Sequence, residues 1–122
     1  MMAVILLVED DPFIREMAGL MIRDWGHQIL SASDVTEALA HLHSPQHIDA
    51  LFTDIYLKAD VHGGCDIAQQ AILLRPLLRV LYTTANCVTD KLQARFGEGT
   101  HFLRKPYTEG QLQGSIEVLL AA

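Results

Sequence analysis

Three acids in a row, Glu9-Asp10-Asp11, follow the apolar run Ala3 to Val8. Asp54 follows Ala50 to Thr53, Thr83-Thr84 end the run from Arg79, and Arg104-Lys105-Pro106 end the run from His101. Carboxylates gathered in one place repel one another and hold their protons to higher pH unless a cation neutralises them. Mg²⁺ suits such a site, because it takes octahedral oxygen ligands, keeps several waters and is commonly bound by one or two carboxylates plus a phosphate. Asp10 and Asp54 fit as direct ligands, Glu9 as holder of a water on the ion, and the backbone carbonyl of Tyr56 as a further ligand. With the Lys105 ammonium and the Thr84 hydroxyl added, a phosphoryl group in front of Asp54 has its charge balanced on several sides. Phosphoryl transfer asks little more of a protein than in-line positioning and that neutralisation. Asp54 is then the nucleophile and forms an acyl phosphate. Once modified, it could draw Thr84 inward and alter the surface of the fourth and fifth strands.

This chemistry requires that residues far apart in the chain meet, and the pattern of elements says how. Short apolar runs alternate with helical stretches: strands start near residues 3, 28, 50, 79 and 101. The first helix is expected from Pro12 to Trp25, with Asp11 as N-cap, Pro12 at the first helical position and Gly26 as the stop. Asp34 and Glu37 have capping-box spacing ahead of an apolar stripe through Val35, Ala38, Leu39 and Leu42, which Ser44-Pro45 ends. Ile67, Ala68, Ala71, Ile72 and Leu74 carry a helix after the Gly63-Gly64 break, and Pro76 stops it. A short helix over Thr89 to Phe96 and an amphipathic one through Leu112, Ile116, Leu119 and Leu120 complete five βα units. Crossovers of this length make parallel, right-handed units, so the class is α/β: a doubly wound parallel sheet with helices on both faces. Ligands bind such sheets at the carboxyl ends of the strands, where these acids, hydroxyls and the lysine all stand.

Composition removes other classes. At 122 residues the chain is expected to form one domain, residues 1 to 122, and its 50% hydrophobic content supplies a core. A net charge of −6 disfavours direct nucleic-acid binding, which needs a basic face. The run Ala3 to Val8 is far short of the roughly 20 residues a bilayer span needs. It also lacks the flanks of a signal peptide, so a cytoplasmic chain with no membrane contact is expected. Cys65 and Cys87 are too few and too far apart for a disulfide framework or a CxxC site, and are expected as buried or half-buried thiols. Of the six histidines, His43 and His47 have i, i+4 spacing, but Pro45 breaks the helix that would align them, and all six are expected on the solvated surface.

Taken together, VEDDP at Val8 to Pro12, Asp54 followed by IYL, TTA at Thr83 to Ala85 and FLRKPY at Phe102 to Tyr107 resemble the receiver domain of two-component response regulators. The resemblance covers essentially the whole chain. It implies a flavodoxin-like sheet of order 2-1-3-4-5 with five helices, and a switch that accepts a phosphoryl group from a histidine kinase or histidine phosphotransfer protein onto Asp54 with Mg²⁺. It further implies Glu9 and Asp10 as the acidic pocket, Lys105 as partner of the phosphoryl group, Thr84 as the switch hydroxyl, Phe102 as a rotating aromatic and a cis Lys105-Pro106 bond. The only chemistry implied is on the domain itself, namely phosphorylation and autodephosphorylation. Output would pass to a protein target through the face of the fourth and fifth strands and fourth and fifth helices, a homodimer is possible, and no output domain is expected behind Ala122.

The chain departs from the family where proline and glycine usually follow the phosphoacceptor. Lys58 and His62 stand there, with Gly63-Gly64 displaced and the loop lengthened. Tyr56 and Asn86 occupy positions that tune hydrolysis in the family. Three other functions compete. A Mg²⁺-dependent aspartyl-phosphate phosphohydrolase resembling the haloacid dehalogenases needs DxD after the first strand, where this chain has Glu9-Asp10-Asp11. An FMN carrier needs a phosphate loop that three acids would repel. A phosphorylation-independent interaction module has no need of Glu9, Asp10, Asp54, Thr84 and Lys105 together.

Overall fold

The computed structural model describes residues 2–57, 63–85 and 100–121. Five strands, β1 (Val4–Val8), β2 (Gln28–Ala32), β3 (Ala50–Asp54), β4 (Arg79–Thr84) and β5 (His101–Arg104), form one parallel sheet of order β2-β1-β3-β4-β5. Among the described residues the helices are α1 (Pro12–Asp24), α2 (Val35–His43), α3 (Gly63–Leu74) and α4 (Glu109–Ala121). The expected helix over Thr89 to Phe96 lies outside the described residues, as do Lys58 to His62, Asn86 and Cys87.

Both faces of the sheet are covered because its strands are apolar on both sides. Along β1, Leu6 and Val8 join a cluster with Ala38 and Leu42 of α2 and Ile67, Ala68 and Ala71 of α3. Ile5 and Leu7, pointing the other way, join Ala18 and Ile22 of α1 and Leu112, Ile116 and Leu119 of α4. All five residues of β1 and of β3 are buried.

The helix starts follow the expected capping. Asp11 accepts hydrogen bonds from the Phe13 and Ile14 amides (2.9 and 3.2 Å), Pro12 is the first helical residue, and Gly26 takes the left-handed conformation with φ 93°. Asp34 accepts from the Glu37 amide at 2.8 Å. The reciprocal half of the capping box is replaced, since the Glu37 carboxylate takes the Ser33 hydroxyl. Gly63 and Gly64 differ from expectation: they form the first turn of α3 instead of a break before it. Ile72 and Leu74, counted on the apolar stripe of that helix, are exposed.

The start of β1 is tied down by side chains from elsewhere. The Ala3 amide donates to His27 Nδ1 (3.0 Å) and the Val4 amide to Asp49 Oδ2 (2.7 Å). His27 is thus half-buried and structural instead of solvated, and burial lowers its pKa.

Candidate functional site

The strand order reverses between β1 and its neighbours β2 and β3, and the crevice at the carboxyl ends there holds the acids. Glu9 stands one residue beyond β1, its amide bound to the Ala32 carbonyl at 3.1 Å. Asp54 is the last residue of β3, in register with Thr83 of β4. Lys105 follows β5 and its amide donates to the Thr84 carbonyl at 2.8 Å, which sets it at the same level. The peptide bond from Lys105 to Pro106 is cis.

These placements bring the side chains together. Ligand atoms of Glu9, Asp10 and Asp54 lie within 4.8 Å of one another. The Lys105 ammonium donates to Glu9 Oε1 at 2.5 Å and to Asp54 Oδ2 at 3.0 Å, and lies 2.9 Å from Asp54 Oδ1. Glu9 Oε2 accepts from the Asp11 amide at 3.2 Å. Asp54 Oδ1 is buried and accepts no hydrogen bond of acceptable direction. Three carboxylates of hard oxygen atoms, one with a buried oxygen that accepts no hydrogen bond and meets only the Lys105 charge, suit Mg²⁺, so the residues fit the ion.

The electrostatics follow from burial. Desolvation, then hydrogen bonding and repulsion from Glu9, push Asp54 up to about 8 against the pull of Lys105. Lys105 goes up too: burial opposes its charge, but its bonds to Glu9 and Asp54 outweigh that. Without a divalent cation the cluster therefore keeps a proton on Asp54 into neutral pH, and the ammonium supplies part of the counter-charge. Lys105→Met strands Glu9 and Asp54 with no cation between them. We expect metal-free Lys105→Met to lose about 2 kcal/mol at pH 8 and less at pH 5, where protons replace the ammonium, as read by urea unfolding.

Thr84 is buried at the end of β4, next to the equally buried Thr83. Phe102, half-buried, stacks on Tyr82 with ring centroids 5.8 Å apart and planes 30° apart. Tyr56 lies two residues past Asp54 with its side chain exposed.

Three residues at the site were absent from the sequence expectation. Arg15 donates from Nη1 to the Glu9 carbonyl at 2.7 Å, fixing the β1 to α1 connection. Tyr107 packs near Phe52, ring centroids 6.3 Å apart, and burial followed by the charge of Glu9 pushes its phenol up to about 12. Gly64 lies against the Asp54 peptide: its amide donates to the Ile55 carbonyl at 3.2 Å, and a Cβ there would stand 1.8 Å from the Asp54 carbonyl oxygen. The Gly-Gly pair was the available signal for such a close approach.

A sequence profile of the response regulator receiver domain matches residues 5–117. The chain belongs to this family. PilG of Pseudomonas aeruginosa is 22% identical over 114 residues, spanning 93% of this chain and 84% of PilG. The probable transcriptional regulatory protein TcrX of Mycobacterium tuberculosis is 28% identical over 117 residues, which are 95% of this chain but 49% of TcrX. Among solved structures, a response regulator receiver protein from Sinorhizobium medicae superposes with a TM-score of 0.85 at 26% identity, covering 98% of this chain and 95% of that one. The receiver is a phosphorylation-controlled signalling switch, not an enzyme acting on external substrates. Its family binds Mg²⁺ at an acidic pocket and works between a histidine kinase and downstream targets. No helix among the described residues is long and apolar enough to cross a membrane.

Proposed function

We propose that this receiver takes a phosphoryl group from a phosphohistidine donor onto Asp54. Support comes from one arrangement above all: a buried strand-end carboxylate flanked by two further carboxylates and contacted through both oxygens by a lysine ammonium. Asp10, Asp54 and the Tyr56 carbonyl would hold Mg²⁺ directly and Glu9 through a water, and the ion supplies neutralisation of carboxylate and phosphoryl charge when bound. Asp54 gives up its proton and one carboxylate oxygen attacks phosphorus in line. The P–N bond of the donor breaks, its electron pair goes to the imidazole nitrogen, which takes up a proton from solvent in place of the one Asp54 released to it, and an acyl phosphate P–O bond forms. Lys105 turns from the Asp54 carboxylate to a phosphoryl oxygen, and the Thr84 hydroxyl donates to another. Thr84 moving toward the phosphoryl group frees space that Phe102 can enter, which alters the surface of β4, β5 and α4 offered to a target.

Water attack on the acyl phosphate resets the switch. Tyr56, exposed beside Asp54, hinders that water. Tyr56→Asn is expected to shorten the phosphorylated half-life roughly threefold, measured by the decay of labelled protein after donor removal. An unchanged half-life removes Tyr56 from the hydrolytic step.

The deciding experiment incubates the chain with Mg²⁺ and acetyl phosphate, traps the acyl phosphate by borohydride reduction and locates it by peptide mass spectrometry. We expect modification at Asp54 that chelation of Mg²⁺ abolishes. Labelling at another residue, or turnover of small phosphate esters with no adduct, would overturn the proposal.

A further inference from the structure

We propose that Thr83 is a second working hydroxyl of the site: its Oγ1 donates to Asp54 Oδ1 once the phosphoryl group is on Oδ2, and the bond assists the reset. This role rests on Asp54 being the phosphoacceptor. Among the described residues two buried side-chain atoms have no hydrogen-bond partner, and they are Asp54 Oδ1 and Thr83 Oγ1. In an acyl phosphate Oδ1 is a carbonyl oxygen and can only accept, whereas Thr83 carries an O–H to donate. The two residues are direct partners in the β3 to β4 ladder, which continues past them as the Ile55 amide donates to the Thr83 carbonyl at 3.0 Å. Neighbouring strands lie about 4.8 Å apart, and residues paired across them send their side chains to the same face.

Strand alternation separates Thr83 from Thr84. Leu81, two residues before Thr83, belongs to the core under α1 and α4, as do Phe52, two before Asp54, and Leu103, two before Lys105. Thr83, Asp54 and Lys105 therefore rise on one face. Tyr82, two before Thr84, lies in the other core, against which Phe102 packs. Thr84 thus stands on the Phe102 side of the sheet and Thr83 on the side of the phosphoacceptor.

A buried hydroxyl left unpaired costs free energy that a valine of the same shape avoids. Thr83 is 3% exposed, so that cost is offset in a state of the site that offers it an acceptor. At rest the Lys105 ammonium lies 2.9 Å from Oδ1 and donates to Oδ2 at 3.0 Å. When Lys105 turns to a phosphoryl oxygen, Oδ1 loses that charge, and rotation about the Thr83 Cα–Cβ bond brings the hydroxyl onto it. Oδ1 has two lone pairs, so this bond and a metal ion do not exclude one another. In the reset a water oxygen bonds to phosphorus, the bond from phosphorus to Oδ2 breaks, and its electron pair returns to the carboxylate while the water releases a proton to solvent. Negative charge grows on both carboxylate oxygens, so a donor held on Oδ1 favours this transition state over the acyl phosphate.

The test compares the full chain with Thr83→Val and Thr83→Ser, each phosphorylated by acetyl phosphate with Mg²⁺, using infrared difference spectroscopy on protein carrying isotope-labelled aspartate. All three should take the group on Asp54. In Thr83→Val the acyl carbonyl stretch should move to higher frequency, because its donor is gone, and the phosphorylated half-life should lengthen about tenfold. Thr83→Ser keeps the hydroxyl and should match the wild type in both. Unphosphorylated Thr83→Val should unfold at no lower urea concentration than the wild type, since no hydrogen bond is lost there. An unchanged band or half-life in Thr83→Val, a Thr83→Ser protein that behaves like Thr83→Val, or an earlier urea midpoint for Thr83→Val would each overturn the proposal. With the wild type labelled at Asp54, those results leave the phosphoacceptor reading standing. A wild type with no adduct at Asp54 overturns both.

Discussion

Asp54→Asn is expected to abolish phosphoryl uptake and, in the absence of divalent cations, to make the receiver more stable than wild type at pH 8. The loss of uptake follows from chemistry, because an amide offers no anionic oxygen to attack phosphorus; labelling by acetyl phosphate should fall at least about 100-fold. The gain in stability follows from the site. Asp54 is buried among Glu9, Asp10 and Lys105, and its pKa is raised from the ordinary 3.8 to about 8. Between those values the folded chain holds a proton that the unfolded chain releases, so wild-type stability falls as pH rises through that window. Below pH 4 both states are protonated and the difference vanishes. An amide does not titrate. The advantage of Asp54→Asn should therefore be near zero at pH 4 and on the order of 2 kcal/mol at pH 8, read by urea unfolding at the two pH values. Mg²⁺ should erase it by stabilising the wild type alone, since a ligand that binds only the folded state shifts unfolding by mass action. A pH-independent difference between the two proteins would contradict the burial argument.

Gly64→Ala is the second large effect, and it concerns a residue that touches no substrate. A methyl group at Gly64 would sit 1.8 Å from the Asp54 carbonyl oxygen and 2.8 Å from the Asp54 carbonyl carbon and the Ile55 Cα, all of them backbone atoms. Neither side can yield by rotating a side chain. Either the first turn of α3 withdraws, losing the bond from the Gly64 amide to the Ile55 carbonyl, or the Asp54–Ile55 peptide moves and takes the Asp54 carboxylate with it. We expect a loss of about 3 kcal/mol or more and labelling reduced at least about tenfold in the folded fraction. Gly114→Ala is the control, because nothing lies within 4 Å of a Cβ added there in α4. It should gain about 0.5 to 1 kcal/mol from helix propensity and label normally. Equal stability of wild type and Gly64→Ala would show that the backbone has more room than the distances allow.

These two predictions separate what the sequence could say from what it could not. Strand ends, caps and the class of the fold were readable locally: Asp11 and Asp34 cap as their spacing implies, and each strand run appears within a residue or two of its expected place. That the acids and the lysine would be gathered was readable as well. In a parallel sheet the carboxyl ends of the strands fall on the same edge, so the acids just after β1 and at the end of β3 and the lysine after β5 had to meet. The expectation failed where a local pattern was taken for the whole environment. Gly63-Gly64 looked like a loop break because glycine ends helices, whereas here it opens one, and only the approach of α3 to β3 gives the reason. His27 looked like surface, yet its ring accepts the Ala3 amide across 24 residues.

By itself, then, the sequence determined the order of elements and the residue types delivered to the carboxyl edge, because these depend on short-range periodicity and on the geometry of βα units. Tertiary structure alone decided that Lys105 is shared between Glu9, 96 residues away, and Asp54. It decided that burial beside Glu9 raises the pKa of Asp54, that Arg15 pins the Glu9 carbonyl, and that Phe13, Met17 and Leu20 face outward. Desolvation, contact and exposure belong to pairs of elements packed together, and no single stretch of chain carries them.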